Sequence, residues 1–194
     1  MILHEIKVMH GNGKGRVLSG HNTMKLDLSG QETRFGVFEK VEAYLKGHGF
    51  KIQSKDLWRP WGGFFVINEQ QAETFAGTFF HELNFEVLRE GGRLSPKILM
   101  VEPHKKLSWQ FHHRRAEIWK SIQREVGVVS SSTDVQGPAR ILKEGELVEL
   151  SQGERHRLVG LETWGVVAEI WLHTDRNTPS DEDDIVRLED EFGR

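Results

Sequence analysis

Two histidines, a carboxylate and an amide stand at spacings that suit metal chemistry. If residues 107–112 are extended, side chains alternate between two faces, so Gln110 and His112 point the same way. Glu117 follows a polar turn, where a returning strand could bring its carboxylate beside the His112 imidazole. With His156, these groups suit a divalent transition metal that keeps an open position for water or substrate. The sequence therefore predicts one metal site formed by Gln110, His112, Glu117 and His156.

Four stretches carry a resemblance to a known family. They are residues 59–62 (RPWG), 110–119 (QFHHRRAEIW), 153–158 (GERHRL) and 182–194 (EDDIVRLEDEFGR). In this order they resemble the cupins, and within them the C-terminal domain of the type II mannose-6-phosphate isomerases. The resemblance implies a jelly-roll barrel, a divalent metal and an aldose–ketose isomerase. Its leading reaction is mannose 6-phosphate to fructose 6-phosphate.

Three places depart from the family pattern. Ile118 stands where a histidine is usual, Ser151 and Gln152 replace a proline-containing turn, and Pro96 falls where a plain strand is expected. None of these changes removes a predicted metal ligand. Bifunctional relatives also carry a nucleotidyltransferase domain ahead of the cupin, and the residues before Arg59 contain no such domain. The resemblance therefore does not imply activity on nucleotide sugars.

A sugar phosphate also needs cationic partners. Arg115 matches the arginine of the family's histidine-rich motif, and we expect it at a turn above the metal, dispensable for the core. There its guanidinium could engage a phosphate or a developing oxyanion. Lys97 matches a family lysine and could bind phosphate or move a proton, although an exposed surface lysine fits the sequence equally well. Arg194 could reach the cavity mouth. The proton carrier stays open between Lys97, a metal-bound water and a carboxylate of the barrel mouth.

Two other functions stay open from the sequence alone. One is a sugar-binding or regulatory cupin without turnover, since Ile118 and the altered turn before His156 make a loss of catalysis conceivable. The other is a metal-dependent oxygenase, which the fold favours but Gln110 disfavours, because redox iron cupins generally use more histidines.

Composition narrows the class of protein. The chain has 194 residues, a length typical of one domain, and a formal net charge of −3 gives no reason to expect nucleic acid or a membrane as partner. It has no cysteine, so a metal must be held by N and O ligands: Zn first, with Mn, Co, Fe or Ni as alternatives. No signal peptide is evident, which together with the missing cysteines predicts a cytoplasmic protein. Sheet edges need cover, which predicts a homodimer.

The elements that position these residues are mostly short strands. The predicted strands are 63–67, 74–85, 97–101, 107–111, 116–122, 127–130, 139–143, 147–150, 156–159 and 164–172. Apolar residues at helical spacing predict one amphipathic helix over 32–46, and residues 1–30 are predicted to form a turn or loose arm. The fold class is therefore all-β, a cupin double-stranded β-helix (jelly-roll barrel) with an N-terminal helical extension. We divide it into 1–55, the arm and helix, and 56–194, the cupin domain.

Strand alternation also assigns neighbouring side chains. Trp119 shares a face with Glu117 and should form one wall of the pocket. It could serve there as a core residue of the barrel or as a surface on which a sugar stacks. On the strand of His156, the side chains of Arg155 and Arg157 should lie on a solvated face.

The remaining titratable residues have plainer interpretations. The acidic run 180–184 is expected to cap a short helix over 184–191, because carboxylates favour helix N-termini. His81, His104 and His173 have no ligand partners at a recognisable spacing, so we expect them to be structural or exposed.

Overall fold

The computed structural model describes residues 25–29 and 32–193. Within these ranges three α-helices, α1 (Arg34–Gly47), α2 (Ala72–Phe79) and α3 (Phe85–Leu88), accompany eleven strands. The strands are β1 (Ile52–Arg59), β2 (Gly62–Ile67), β3 (Lys97–Val101), β4 (Trp109–His112), β5 (Arg115–Gln123), β6 (Val126–Ser131), β7 (Arg140–Leu142), β8 (Leu147–Leu150), β9 (Arg155–Val159), β10 (Gly165–His173) and β11 (Ile185–Glu189). None of the helices found there is long and apolar enough to cross a membrane.

Two antiparallel sheets form the barrel. One has the strand order β1-β2-β3-β10-β5-β8 and the other β11-β4-β9-β6-β7. The chain passes from one sheet to the other at each step from β3 to β6 and again at each step from β7 to β11. The predicted all-β jelly roll with a helical extension is confirmed, whereas the division into 1–55 and 56–194 stays a prediction.

The inner strands β3, β5 and β10 of the six-stranded sheet are buried on both faces. On β5, Ile118 packs into a core shared with the helices, while Trp119 belongs to a second core inside the barrel. On β10, Ile170 faces the helices, and Glu169 lines the barrel cavity. Because successive side chains of a strand point to opposite faces, each of these strands gives one row to the core and one to the cavity.

Helix α1 covers the outer face of this sheet, as its spacing predicts. The Thr33 hydroxyl accepts a hydrogen bond of 3.2 Å from the backbone N–H of Gly36 and caps the helix start. Phe38 and Leu45 are buried in the helix-side core. Gly49, with a φ of +78°, adopts the left-handed conformation common after helix ends.

The predicted arm is only partly described. Residues 25–29 have no helix or strand, yet Leu26 and Leu28 are buried in the same core as α1. The described part of the arm is therefore packed rather than loose. Residues 1–24 and Arg194 lie outside the described residues, and so does the expected approach of Arg194 to the cavity mouth.

Three element predictions were wrong. Residues 74–85 contain most of α2, a turn and the first residue of α3 rather than a strand. Ala72, Phe75, Ala76 and Phe79 of α2 lie on one buried helical face. The strand β1 was not predicted. The helix expected over 184–191 is replaced by β11, which pairs with β4, although the Asp181 side chain does cap a single 3-10 turn (Glu182–Asp184) just before it.

Arg157 was wrongly predicted to lie on a solvated face. It is 1% exposed, and its guanidinium donates to the backbone oxygen of Leu107 at 2.9 Å and to the side chain of Gln136 at 3.2 Å. Glu189 lies 3.4 Å from the same group. The loop that carries Gln136 and the end of β11 therefore cover this part of β9. Arg155 is partly exposed and pairs with Asp134 at 2.7 Å.

The side chains of His81 and His104 are exposed, and His173 is structural, as expected. The Nδ1 of His173 accepts a hydrogen bond of 3.0 Å from the backbone N–H of Ser180, and the Nε2 of His173 lies 3.1 Å from the Ser95 hydroxyl. Burial lowers the pKa of His173 to about 4, helped by the charge of Arg93. The neutral ring thus joins the end of β10 to two loops.

The lowered pKa of His173 predicts a pH dependence of stability. Below its ordinary pKa of about 6.5 the unfolded chain takes up a proton that the folded protein refuses until about pH 4. Stability is thus fully present above pH 6.5 and should fall by up to about 3 kcal/mol as the pH drops to 4. Urea unfolding of the parent and of His173→Gln across this range measures the effect. Equal pH slopes for the two proteins would contradict it.

Candidate metal centre

A tight turn between the two sheets brings the predicted ligands together. β4 ends at His112 and β5 begins at Arg115, and the Asp184 carboxylate fixes the turn by accepting hydrogen bonds from the backbone N–H groups of His113 and Arg114. Glu117 thereby returns beside His112. From the other side, β9 pairs with β4 and supplies His156.

The three titratable side chains meet in a buried cluster. The Nε2 of His112 lies 3.1 Å from one Glu117 oxygen, and the Nε2 of His156 lies 3.4 Å from the other. Their potential donor atoms all lie within 4.8 Å of one another. Each of the three residues is at most 2% exposed, so a group bound between them would be largely shielded from water.

Backbone carbonyls orient both imidazoles. The Nδ1 of His112 lies 3.2 Å from the backbone oxygen of Asp184, and the Nδ1 of His156 lies 2.9 Å from that of Glu154. A carbonyl oxygen can only accept, so each Nδ1 carries the proton and each Nε2 keeps its lone pair. Both lone pairs are therefore available on the side of Glu117, in the arrangement that metal-binding histidines commonly show.

The cluster fits a divalent cation. The Nε2 of His156 and the Oε2 of Glu117 are buried and have no hydrogen-bond partner among the described residues, a costly state that a bound cation would relieve. Gln110 lies beside them, but its amide nitrogen is 3.4 Å from the Nε2 of His112, while its oxygen accepts from Ser108 at 2.6 Å. The amide would have to turn over to offer its oxygen as a fourth ligand.

Charge in the cluster favours an ionised Glu117 carboxylate and a neutral His112 imidazole. Burial raises the pKa of Glu117, but His112 and Arg115 together lower it by more, so it lies well below its usual value. Burial also lowers the pKa of His112, although the nearby Glu117 opposes this. Both directions suit metal binding, which needs deprotonated ligands.

Arg115 does not lie at a turn, so that expectation was wrong. It is the first residue of β5 and 2% exposed. Its Nε donates to Glu117 at 2.7 Å, and another guanidinium nitrogen lies 3.1 Å from the Nε2 of His112. The Ser180 hydroxyl accepts a third bond of 2.8 Å. The guanidinium is thus part of the cluster and balances the charge of Glu117.

Lys97 is buried rather than a surface residue. Its ammonium pairs with Glu182 and lies 3.8 Å from the centre of the Trp171 ring. The Arg115 guanidinium lies 3.6 Å from that ring. Two cations therefore contact one indole, which explains how both can be held in a closely packed barrel.

One cavity joins these residues. It measures about 590 Å³, including the part open to solvent, and Lys97, Gln110, Arg115, Glu117 and Trp119 line it. Trp119 also packs edge-on against the His156 ring with centroids 5.3 Å apart, so the predicted wall residue is in place.

Sequence reasoning missed several other cavity residues. Among them are Arg59, Glu169, Trp171, Glu182 and Arg187. Alternation along the predicted strand 164–172 could have placed Glu169 and Trp171 on one face. The other three depend on how distant segments meet. Ile118, the departure from the family pattern, lies in the helix-side core and leaves the cluster untouched.

Comparison with known families gives one match over most of the described chain. Residues 69–190 match a family model described as the C-terminal part of mannose-6-phosphate isomerase. The match contains every residue of the cluster and begins after β2.

The chain is also similar to curated proteins in sequence and to a solved structure in fold. The chain is 27% identical over 158 residues to the mannose-1-phosphate guanylyltransferase ManC of Salmonella typhimurium, covering 81% of the chain and 26% of that relative. It is 27% identical over 171 residues to the xanthan biosynthesis protein XanB of Xanthomonas campestris, covering 86% of the chain and 30% of that protein. The chain thus spans less than a third of these relatives. A variant of oxalate decarboxylase from Bacillus subtilis shares the fold, with a TM-score of 0.50 and 13% identity over 70% of this chain and 30% of that one.

Proposed function

The chain belongs to the mannose-6-phosphate isomerase C-terminal family, and from this premise we propose that it is a metal-dependent aldose–ketose isomerase of a sugar phosphate. Interconversion of mannose 6-phosphate and fructose 6-phosphate is the leading reaction. One observation carries the proposal. The buried His112–Glu117–His156 cluster borders, through Glu117, a cavity that is also lined by cations and by aromatic rings.

His112, Glu117 and His156 would hold the metal, with Gln110 as fourth ligand once its amide turns over. A divalent ion, Zn first, would supply a Lewis acid for the C1 and C2 oxygens of the sugar. The protein's own part is to exclude water and to fix the ligands. Trp119 supports the His156 ring edge-on, and the backbone carbonyls hold both imidazoles in the required tautomer.

The cations of the cavity suit a phosphorylated substrate. Lys97 and Arg115 lie deep in it, and Arg59 and Arg187 also line it. Guanidinium groups can bind phosphate through two parallel hydrogen bonds. Because Arg115 already contacts Glu117, we assign it to charge that develops next to the cluster, and the other three cations to the phosphate.

A second candidate is a sugar-binding cupin without turnover. The specific observation in its favour is the contact of 3.1 Å between the Arg115 guanidinium and the Nε2 of His112, the atom that a metal would need. A metal would therefore have to displace this contact. A homodimer paired through sheet edges, without a nucleic acid or membrane partner, stays part of the proposal.

Assays of several hexose and heptose phosphates, with Zn, Mn, Co or Fe added separately to metal-free protein, test the two candidates. We expect turnover of mannose 6-phosphate that depends on added metal and disappears with a chelator. Binding of a sugar phosphate in calorimetry without any isomerisation would favour the non-catalytic candidate. The absence of both binding and turnover would contradict both.

A further inference from the structure

Glu169 is a buried carboxyl that the metal cluster does not use. It is 5% exposed and lines the same cavity as Glu117. The Trp119 indole donates a hydrogen bond of 2.9 Å to its Oε1. Among the described residues it forms no ion pair within 4.0 Å, whereas most buried carboxylates are paired or bound to metal.

The strand register places Glu169 near the metal ligands. On β10 and β5, Glu169 is paired with Trp119, and the next inward residue, Trp171, is paired with Glu117. Glu169 and Glu117 are therefore diagonal neighbours on one face of the sheet, with Cα atoms roughly 7–8 Å apart. A sugar held at the cluster through its first two oxygens would have its C1 and C2 carbons within reach of such a neighbour.

Lys97 is the other candidate for a proton carrier and fits that role less well. It is paired with Glu169 in the sheet register, but its ammonium binds Glu182 and lies over the Trp171 ring. Both contacts suit a charged ammonium, which binds an anion rather than accepting a proton from carbon.

We infer that Glu169 carries the proton between C1 and C2 of the sugar, an assignment that rests on the proposed isomerase function. From the aldose, the C2–H bond breaks and the carboxylate takes the proton. The electron pair of that bond forms the C1–C2 double bond of an enediolate, with the negative charge on O1. Glu169 then returns its proton to C1, the O2 hydroxyl loses its proton as C2 becomes a carbonyl, and O1 gains one. No oxidant or reductant is needed.

The ionisation of Glu169 agrees with this role. Burial raises the pKa of Glu169 to about 7, with a further contribution from the negative charge of Glu117, while Lys97 and Arg115 oppose the increase. A carboxyl in this range can both take and return a proton near neutral pH. Its hydrogen bond from Trp119 keeps the group oriented in either state.

Glu169→Gln tests the inference, because the amide keeps the shape and the bond from Trp119 but cannot take the proton. Parent and variant are loaded with the metal that gives the parent its highest activity. We expect kcat to fall about 10²-fold or more, with metal content unchanged and the substrate dissociation constant within a few-fold. Incorporation of solvent deuterium into the sugar, followed by NMR, should fall in parallel. Glu149→Gln, which alters an exposed carboxylate on β8, should keep the parental rate.

Three results would overturn the assignment. Parental turnover by Glu169→Gln would do so directly, as would a loss of metal or substrate binding as large as the loss of turnover, since that marks a structural role. A collapse of solvent deuterium exchange in Lys97→Met but not in Glu169→Gln would transfer the role to the lysine. If the parent protein itself isomerises no sugar phosphate, the proposed function fails first, and this outcome is distinct from all three.

Discussion

His156→Ala should remove high-affinity binding of a divalent metal. The Nε2 of His156 faces Glu117 at 3.4 Å and has no hydrogen-bond partner among the described residues, so the substitution removes one of the three proposed ligands that the fold holds in place. Changes next to metal ligands typically weaken affinity about 10- to 100-fold, and loss of a ligand itself should exceed about 100-fold. Isomerase activity should disappear with the metal. Metal analysis after dialysis and titration with a competing chelator measure the effect.

His104→Ala is the matched control for this experiment. The His104 side chain is exposed on a loop and lies outside the cluster, so its loss should leave metal content and affinity unchanged. If the His156 variant retains one equivalent of metal with parental affinity, the cluster does not bind the ion and the proposed site is wrong. Circular dichroism of both variants verifies that the barrel is intact.

Strand alternation, together with the turn before Glu117, predicted part of this site. Gln110 and His112 were expected on one face, with Glu117 returning beside them, and the structure brings the last two within 3.1 Å. Trp119 likewise lies where its spacing from Glu117 placed it. Such a prediction works because the period of a strand is fixed by the backbone and does not depend on distant contacts.

Strand alternation could not predict the elements whose structure depends on contacts with distant parts of the chain. The acidic run before β11 favours a helix start, but the residues that follow it, Ile185–Glu189, pair with β4 and form a strand. The segment 74–85 is rich in aromatic residues and threonine, which suggested a strand. Its helical signal was present in the spacing of Ala72, Phe75, Ala76 and Phe79, and burial of that face against the sheet decides the outcome.

Buried charges were the hardest to predict. β10 is covered on both faces, so its sequence lacks the polar alternation that would single out Glu169 as a cavity residue. Arg157 was assigned to solvent because nothing local shows that the loop carrying Gln136 covers it. Arg115 was placed at a turn, whereas the ion pair with Glu117 draws it into the barrel. The burial of Arg157 depends on a distant loop, and the burial of Glu169 and Arg115 depends on closure of the barrel.

Arg115→Met should destabilise the metal-free protein by about 3–5 kcal/mol, because it leaves the Glu117 carboxylate buried without its guanidinium partner. Methionine preserves much of the packing against Trp171, so the loss reports the charge. Turnover should also fall about 10²-fold or more, since a charge-assisted contact next to the cluster disappears. Thermal and urea unfolding, followed by steady-state kinetics, measure both effects.

Added metal distinguishes this account from a simple packing defect. In the Arg115→Met protein a bound cation would take the place of the missing guanidinium beside Glu117. It would also have the Nε2 of His112 to itself, whereas in the parent the guanidinium contacts that atom. Metal should therefore stabilise the Arg115→Met protein more than it stabilises the parent. Arg140→Met, at an exposed position of β7, should change stability by no more than about 0.5 kcal/mol, with or without metal. If Arg115→Met is as stable as the parent without metal, or if metal stabilises both equally, Arg115 does not serve as the counter-charge of Glu117.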